Sequence, residues 1–306
     1  MEEKYYPLVL AFLAAFALRL YPTILSGLPF STDAWSPIRN TELLLERTPI
    51  SLDCALMDGY NCYWPANSLF GAVFSQATGL KPMAAMAFGI PLAGALTIPI
   101  FYALIYRISG SRRLAFFSSI LLATAYPYAL FTAGVTKETY ANPLYVLSIL
   151  IFMSRGKWRK TLLFAVASSA LVMAHHLTAL VAIAVLATIA LASSIVRVRR
   201  RAHVSPDGSS FLLVSILTAA TALYFARAQE EATHPKICKP VLVLRTSTER
   251  PEAVIYDFAK IVGINPVVVL AKLEKLLGEE AKLPNKSPFG DGKAATRIVD
   301  IITSRL

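Results

Sequence analysis

Charged residues are scarce in this sequence: they make up 16% of 306 residues, against about 25% in a typical soluble domain. Hydrophobic residues account for 56%, and the mean hydropathy is positive at +0.55. This scarcity argues against an ordinary soluble protein and predicts a membrane protein. The formal net charge of +11 does not imply a nucleic-acid partner, because basic residues between apolar segments usually set membrane orientation.

Cysteine is scarce as well, and its positions exclude the common zinc patterns. Cys54, Cys62 and Cys238 form neither a CxxC pair nor a Cys/His group with zinc-ligand spacing. Cys54 and Cys62 lie close together in a predicted outer loop, where an oxidising exterior permits a disulfide. Spacing alone gives no Cα geometry, so this pairing stays open.

The charge that is present is unevenly distributed along the chain. Residues 229–306 are much richer in charged side chains than residues 1–228. We therefore predict two parts with a boundary at Ala228: a transmembrane module, with an outer loop over 26–82, and a small C-terminal tail. In the tail, the apolar run 241–245 predicts a buried strand, and helices are predicted at about 252–261, 265–279 and 292–304.

Apolar runs near the length that crosses a bilayer recur through the N-terminal part. We predict about seven spans, at 7–25, 83–106, 113–134, 139–154, 160–175, 177–196 and 209–228. Lys and Arg cluster near 107–113, 155–160 and 197–201, which indicates a plasma-membrane protein with a cytoplasmic N-terminus. The start, Met-Glu-Glu-Lys, lacks the basic stretch of a cleavable signal peptide. The predicted fold class is mainly α: a polytopic membrane helical bundle with a small, incomplete α/β tail.

Three polar features fall on the predicted outer face. Asp33 follows the first span and precedes an amphipathic surface stretch, Lys137 and Glu138 sit between two spans, and His175 and His176 form a tight turn. If these features converge, the two acids would hold a divalent cation such as Mg²⁺ or Mn²⁺, or supply a general base. The alternatives are a helix N-cap for Asp33, a snorkelling Lys–Glu pair and a polar turn. Adjacent histidines on a helix point about 100° apart, so they do not easily chelate one ion together.

The N-terminal part resembles the GT-C superfamily of membrane glycosyltransferases, which includes protein mannosyltransferases and oligosaccharyltransferases. The matching features are an outer loop that begins with an acid, a surface helix, Trp-Pro-Ala-Asn-Ser-Leu-Phe at 64–70 and Met-Ala-His-His-Leu-Thr-Ala-Leu at 173–180. The resemblance implies transfer of a sugar from a polyprenyl-phosphate donor to a glycan or protein acceptor on the outer face. The sequence departs from that superfamily in its smaller number of predicted spans.

The same resemblance assigns roles to individual residues. Asp33 and Glu138 are implied as catalytic or metal-binding acids. The implied substrate-binding residues, which include those that would approach the lipid phosphate, are Arg39, Lys137, His175 and His176.

The tail resembles the C-terminal part of non-hydrolysing UDP-N-acetylglucosamine 2-epimerases. The matching blocks are Gln-Glu-Glu-Ala at 229–232 and the stretches 239–254 and 288–302. This resemblance implies that Glu231 binds the uridine ribose and that Arg250 lies near the nucleotide. A Ser-Gly-Gly run usually precedes the first block, but Phe225-Ala-Arg-Ala228 stands here. Because that family's catalytic acids and histidine lie elsewhere, the alternatives to a glycosyltransferase are a membrane-anchored epimerase fragment without epimerase activity and a non-catalytic membrane protein.

Overall fold

The chain is described from a computed structural model. It covers residues 6–46, 57, 63–154, 156, 158–199, 208–232, 241–245, 247 and 251–278. Two compact units divide the chain, Met1–Thr233 and His234–Leu306. Cys54, Cys62, Cys238 and Arg250 lie outside the described residues, as does the helix predicted at 292–304, so the possible disulfide stays open.

The first unit is helical throughout its described residues. Its elements are α1 (Tyr6–Ser26), a short 3-10 helix (Thr32–Ala34), α2 (Trp35–Glu46), α3 (Ala66–Thr78), α4 (Pro82–Ala95), α5 (Thr97–Ser109), α6 (Arg112–Thr124), α7 (Tyr126–Phe131), α8 (Lys137–Met153), α9 (Trp158–Ala174), α10 (His176–Arg199) and α11 (Gly208–Ala232). The prediction of a mainly helical protein is confirmed.

Three helical stretches among the described residues are long and apolar enough to cross a membrane: Leu8–Ser26, Pro82–Ser109 and His176–Ile195. The seven predicted spans are therefore not established. Helices α8 and α9 have 17 residues each, or about 26 Å of helix, which is short of the roughly 30 Å hydrocarbon core. Membrane insertion stays a prediction.

The span predicted at 113–134 is wrong as a single helix. Helix α6 ends at Thr124, and α7 begins after Ala125, whose ψ of 108° is not helical. Pro127 explains the break, because proline lacks the N–H that a continuous helix needs and fits only in the first turn of a new one. The break turns α7 back toward the end of α1, with which it packs.

Two groups of buried side chains hold the first unit together. Phe164, Leu171, Leu186, Leu213 and Leu217 are fully buried where α8 to α11 pack against one another. Small and polar residues lie between α2, α3 and α4 where these helices pack. A methyl group at Gly71 would overlap Met86 Sδ and Thr41 Oγ1, so any larger residue there would force these side chains to shift.

The second unit contains a small parallel sheet. Strand β1 (Val241–Val243) pairs in parallel with β2 (Ala259–Ile261), Val241 lies opposite Ala259, and α12 (Pro251–Ile255) lies between the strands in sequence. Helix α13 (Pro266–Gly278) follows, and the Asn265 side chain accepts a hydrogen bond from Val267 N at 3.0 Å. The helix near 265–279 agrees with α13, and a strand forms where one was predicted. That strand ends at Val243, and its described residues are only partly buried, so the prediction of a buried strand over 241–245 is wrong in length and burial.

The helix predicted at 252–261 is wrong in its second half, because residues 259–261 form β2. Asp257 has a φ of 58°, which ends α12 and turns the chain into the strand.

Candidate active site

A cavity of about 470 Å³ opens beside the end of α1 and the start of α8. Its lining residues are Phe30, Ser31, Thr32, Asp33, Pro127, Leu130, Phe131, Gly134, Thr136 and Glu138. The two acids that the sequence singled out thus line the same cavity, and the rest of the lining is aromatic, aliphatic, glycine or hydroxyl-bearing. The structure therefore brings Asp33 and Glu138 together, as the predicted convergence required.

The loop after α1 presents the Asp33 side chain to solvent. Ser31, with a φ of 92°, is the N-cap of the 3-10 helix, and its hydroxyl accepts a hydrogen bond from Asp33 N at 3.2 Å. Val135 N donates to Phe30 O at 3.0 Å and ties this loop to the segment before α8. Asp33 lies inside the 3-10 helix that Ser31 caps, and its side chain is exposed; its alternative role as the N-cap of the surface helix stays a prediction.

Glu138 lies in the first turn of α8, half-buried at the cavity wall. Thr136 caps this helix, and its hydroxyl accepts a hydrogen bond from Thr139 N at 3.3 Å. Glu138 Oε1 lies 3.0 Å from Nε2 of the buried His175. Burial alone would raise the pKa of Glu138, but hydrogen bonds from His175, its own backbone N–H and Thr136, together with the nearby imidazole charge, lower it to about 2. The carboxylate is therefore ionised at neutral pH.

The two histidines contact different neighbours, although their ring centroids lie 4.9 Å apart. The 100° rule for adjacent helical residues does not apply, because His175 precedes α10. His175 Nδ1 lies 2.8 Å from Thr178 Oγ1 and accepts from Thr178 N at 3.4 Å, so His175 caps the start of α10. The ring of His176 instead stacks at a tilt on Trp64, with 4.6 Å between centroids. His175 and His176 thus make two separate contacts, whereas a His–His pair suggests a shared ligand.

Lys137 and Glu138 also diverge, so the alternative of a snorkelling pair at the surface is wrong. Lys137 is buried, and its Nζ lies 5.7 Å from the centroid of the Trp64 ring. Trp64 also contacts Phe225 of α11 at 6.2 Å between centroids. Trp64 belongs to the motif at 64–70 but was not predicted as a site residue. No local signal distinguishes this tryptophan from one that faces lipid.

Arg39 does not reach the cavity. It lies exposed on α2, where its guanidinium pairs with Glu42 at 3.1 Å and Glu46 at 3.9 Å. A substrate-binding role for Arg39 therefore finds no support in its position.

The described residues do not by themselves fit a metal ion. No group of three or more His, Cys, Asp or Glu side chains suited to hold a metal occurs among them. Asp33 and Glu138 provide only two carboxylates, and one oxygen of Glu138 is bonded to His175. No step of the chemistry is therefore assigned to a metal.

Glu231, a candidate residue of the predicted tail, lies at the end of the helical unit. Helix α11 continues through Ala232, so the predicted boundary at Ala228 falls inside a helix, and Glu231 lies in its last turn. Residues 225–228, where the family's Ser-Gly-Gly run would stand, are helical as well. Backbone N–H groups inside a helix are bonded to carbonyls four residues earlier and cannot bind phosphate.

Comparison with known proteins identifies this C-terminal region. Residues 228–303 match the UDP-N-acetylglucosamine 2-epimerase family. A Clostridium acetobutylicum relative is 46% identical over 78 residues. The UDP-N-acetylglucosamine 2-epimerases of Escherichia coli O157:H7 and Campylobacter jejuni are 40% and 38% identical over 78 residues, which is 24% of this chain and 20% of each enzyme. The chain thus spans about a fifth of the length of these relatives. The match confirms the predicted epimerase resemblance of the tail, and the glycosyltransferase resemblance of the N-terminal part stays a prediction.

Proposed function

We propose that the epimerase-related segment binds the uridine portion of a nucleotide sugar and is attached to a membrane by the helices that precede it. The match over residues 228–303 carries this proposal, together with relatives that are named as UDP-N-acetylglucosamine 2-epimerases. The apolar stretches Leu8–Ser26, Pro82–Ser109 and His176–Ile195 support membrane attachment. Epimerisation by the segment itself is not part of the proposal.

The helical context of Glu231 limits the form that this binding takes. Glu231 follows helical residues instead of a glycine loop, so the backbone N–H groups before it are already hydrogen-bonded. A diphosphate therefore gains little from this helix, whereas a carboxylate still accepts hydrogen bonds from ribose hydroxyls. We expect uridine and UDP to bind with similar, weak affinity.

Calorimetry on the full chain in detergent tests the proposal with uridine and UDP as probes. Binding in the millimolar range that weakens at least tenfold in Glu231→Gln supports it. Glu274→Gln, exposed on α13, is the matched control and should bind as the wild type does. The absence of heat with either probe at millimolar concentration would remove the proposal.

A second candidate function is glycosyl transfer from a polyprenyl-phosphate sugar to a glycan or protein acceptor at the outer face. The observation that favours it is the cavity shared by Asp33 and Glu138. In this mechanism the exposed Asp33 carboxylate takes the proton of an acceptor hydroxyl as the hydroxyl oxygen bonds to the anomeric carbon. The bond from that carbon to the phosphate oxygen breaks, and the phosphate leaves with the electron pair. Glu138, ionised at neutral pH, stabilises the positive charge that develops on the sugar ring.

Sugar transfer in isolated membranes tests this second function. Asp33→Asn should lower transfer from a polyprenyl-phosphate donor by at least 100-fold, because the general base is lost. Glu46→Gln is a suitable control, since Glu46 is exposed on α2 and does not line the cavity. Transfer by Asp33→Asn at the wild-type rate would contradict the mechanism.

A further inference from the structure

His175 has both ring nitrogens engaged, although it lies in a turn between two helices. Its side chain is buried, with Nε2 directed at Glu138 and Nδ1 directed at the first turn of α10. A histidine that contacts a substrate needs a nitrogen free to face it. This one is bonded on one side to a carboxylate of the cavity wall and on the other to the N-terminus of a helix.

The backbone fixes the position of the imidazole proton. Thr178 N can only donate a hydrogen bond, and its acceptor at 3.4 Å is His175 Nδ1. A ring nitrogen that accepts a hydrogen bond carries no proton, so in the neutral ring this contact favours the tautomer with its proton on Nε2. Nε2 faces Glu138 Oε1 at 3.0 Å, and the hydrogen bond therefore runs from histidine to carboxylate.

We propose that His175 is a positioning residue that holds the Glu138 carboxylate at the cavity wall, and that the N-terminus of α10 in turn fixes the tautomer of His175. This proposal rests on the second proposed function, in which Glu138 acts inside the cavity. It replaces the role of lipid-phosphate ligand that sequence resemblance implied for His175. A hydrogen bond from a buried side chain restricts the orientation of the carboxylate that accepts it.

The surrounding charges favour the same arrangement. Lys137 precedes Glu138 in α8, but its Nζ lies toward Trp64 and not toward the cavity. Asp33, which also lines the cavity, is an acid and offers Glu138 no positive charge. Among the described residues, the imidazole of His175 lies within hydrogen-bond distance of the Glu138 carboxylate, and the Thr136 hydroxyl bonds the same carboxylate.

Nitrogen NMR of the full chain in detergent micelles tests the tautomer directly. The protein contains four histidines, so selective ¹⁵N-histidine labelling gives few resonances, and His175→Gln assigns those of His175. At a pH where the ring is neutral we expect a protonated Nε2 and an unprotonated Nδ1, and we expect Glu138→Gln to shift the Nε2 resonance. Glu42→Gln should leave it unchanged. A protonated Nδ1, or an Nε2 resonance that does not respond to Glu138→Gln, would overturn the proposal.

Kinetics of sugar transfer distinguish positioning from substrate binding. His175→Ala should lower kcat by about 100-fold, the cost of a misplaced reacting group, with little change in KM for the donor. His175→Gln places an amide donor near the position of Nε2 and should restore part of the rate. A raised KM with unchanged kcat would assign His175 to the substrate and refute positioning. If the wild type transfers no sugar, the second function fails, and the NMR result alone decides the role of His175.

Discussion

Replacing Glu138 with glutamine should destabilise the first unit at neutral pH. The pKa of Glu138 falls from 4.5 to about 2 in the folded protein, and at 1.36 kcal/mol per pKa unit the upper limit of this stabilisation is about 3 kcal/mol. The side chain is 34% exposed, so solvent screening reduces the expected loss to about 1–2 kcal/mol. Glu138 lies outside the three candidate spans. Its ionisation can therefore be treated as that of a group in contact with water.

The sign of the pH dependence follows from the lowered pKa. A carboxylate with a depressed folded-state pKa stabilises the protein fully above its unfolded-state pKa, and the contribution disappears as the pH falls through the folded-state value. The difference between wild type and Glu138→Gln should therefore be constant above pH 4.5 and vanish between pH 4.5 and about 2.

Thermal unfolding in detergent, followed by tryptophan fluorescence from pH 7 down to 2, measures this difference. Glu42→Gln serves as the control, because Glu42 makes an exposed ion pair with Arg39 and should change stability by less than about 0.5 kcal/mol. Equal stability of wild type and Glu138→Gln at pH 7, or a difference that persists to pH 2, would refute the reasoning.

Three further predictions concern packing, capping and the surface of α2. Gly94→Ala should lower the free energy of unfolding by about 1–3 kcal/mol, because the new methyl group would lie 3.1 Å from the carbonyl oxygen of Thr132; chemical denaturation in detergent measures the loss. Ser111→Ala should cost about 1 kcal/mol in the same assay, since the Ser111 hydroxyl caps α6 by accepting from Leu114 N. Arg39→Ala should leave sugar transfer unchanged, because Arg39 does not line the cavity; a large loss of transfer would restore its predicted role in substrate binding.

The boundaries of elements show how far local pattern predicts this fold. The helix predicted at 265–279 agrees with α13 because its start signal, Asn265 before Pro266, is local in the sequence. The span predicted at 113–134 failed because hydropathy alone does not register the break at Ala125. The strand at Ala259–Ile261 forms because β1 is its parallel partner. The spacing of apolar residues along the sequence does not show that such a partner is present.

The candidate site shows the same division. Residue type alone marked Asp33, Glu138 and the two histidines as unusual near apolar segments. Their partners depended on helix packing, which placed His175 against Glu138, Lys137 against Trp64, and Arg39 away from the cavity.

The sequence by itself determined that this protein is rich in apolar helices and that its last quarter is related to UDP-N-acetylglucosamine 2-epimerases. Both are properties of composition and of ordered motifs, which need no knowledge of contacts. Only the tertiary structure decided that Asp33 and Glu138 share a cavity and that Glu231 ends a continuous helix instead of following a glycine loop. The physical reason is that a side chain's chemistry depends on its neighbours, and these neighbours come from helices distant in sequence.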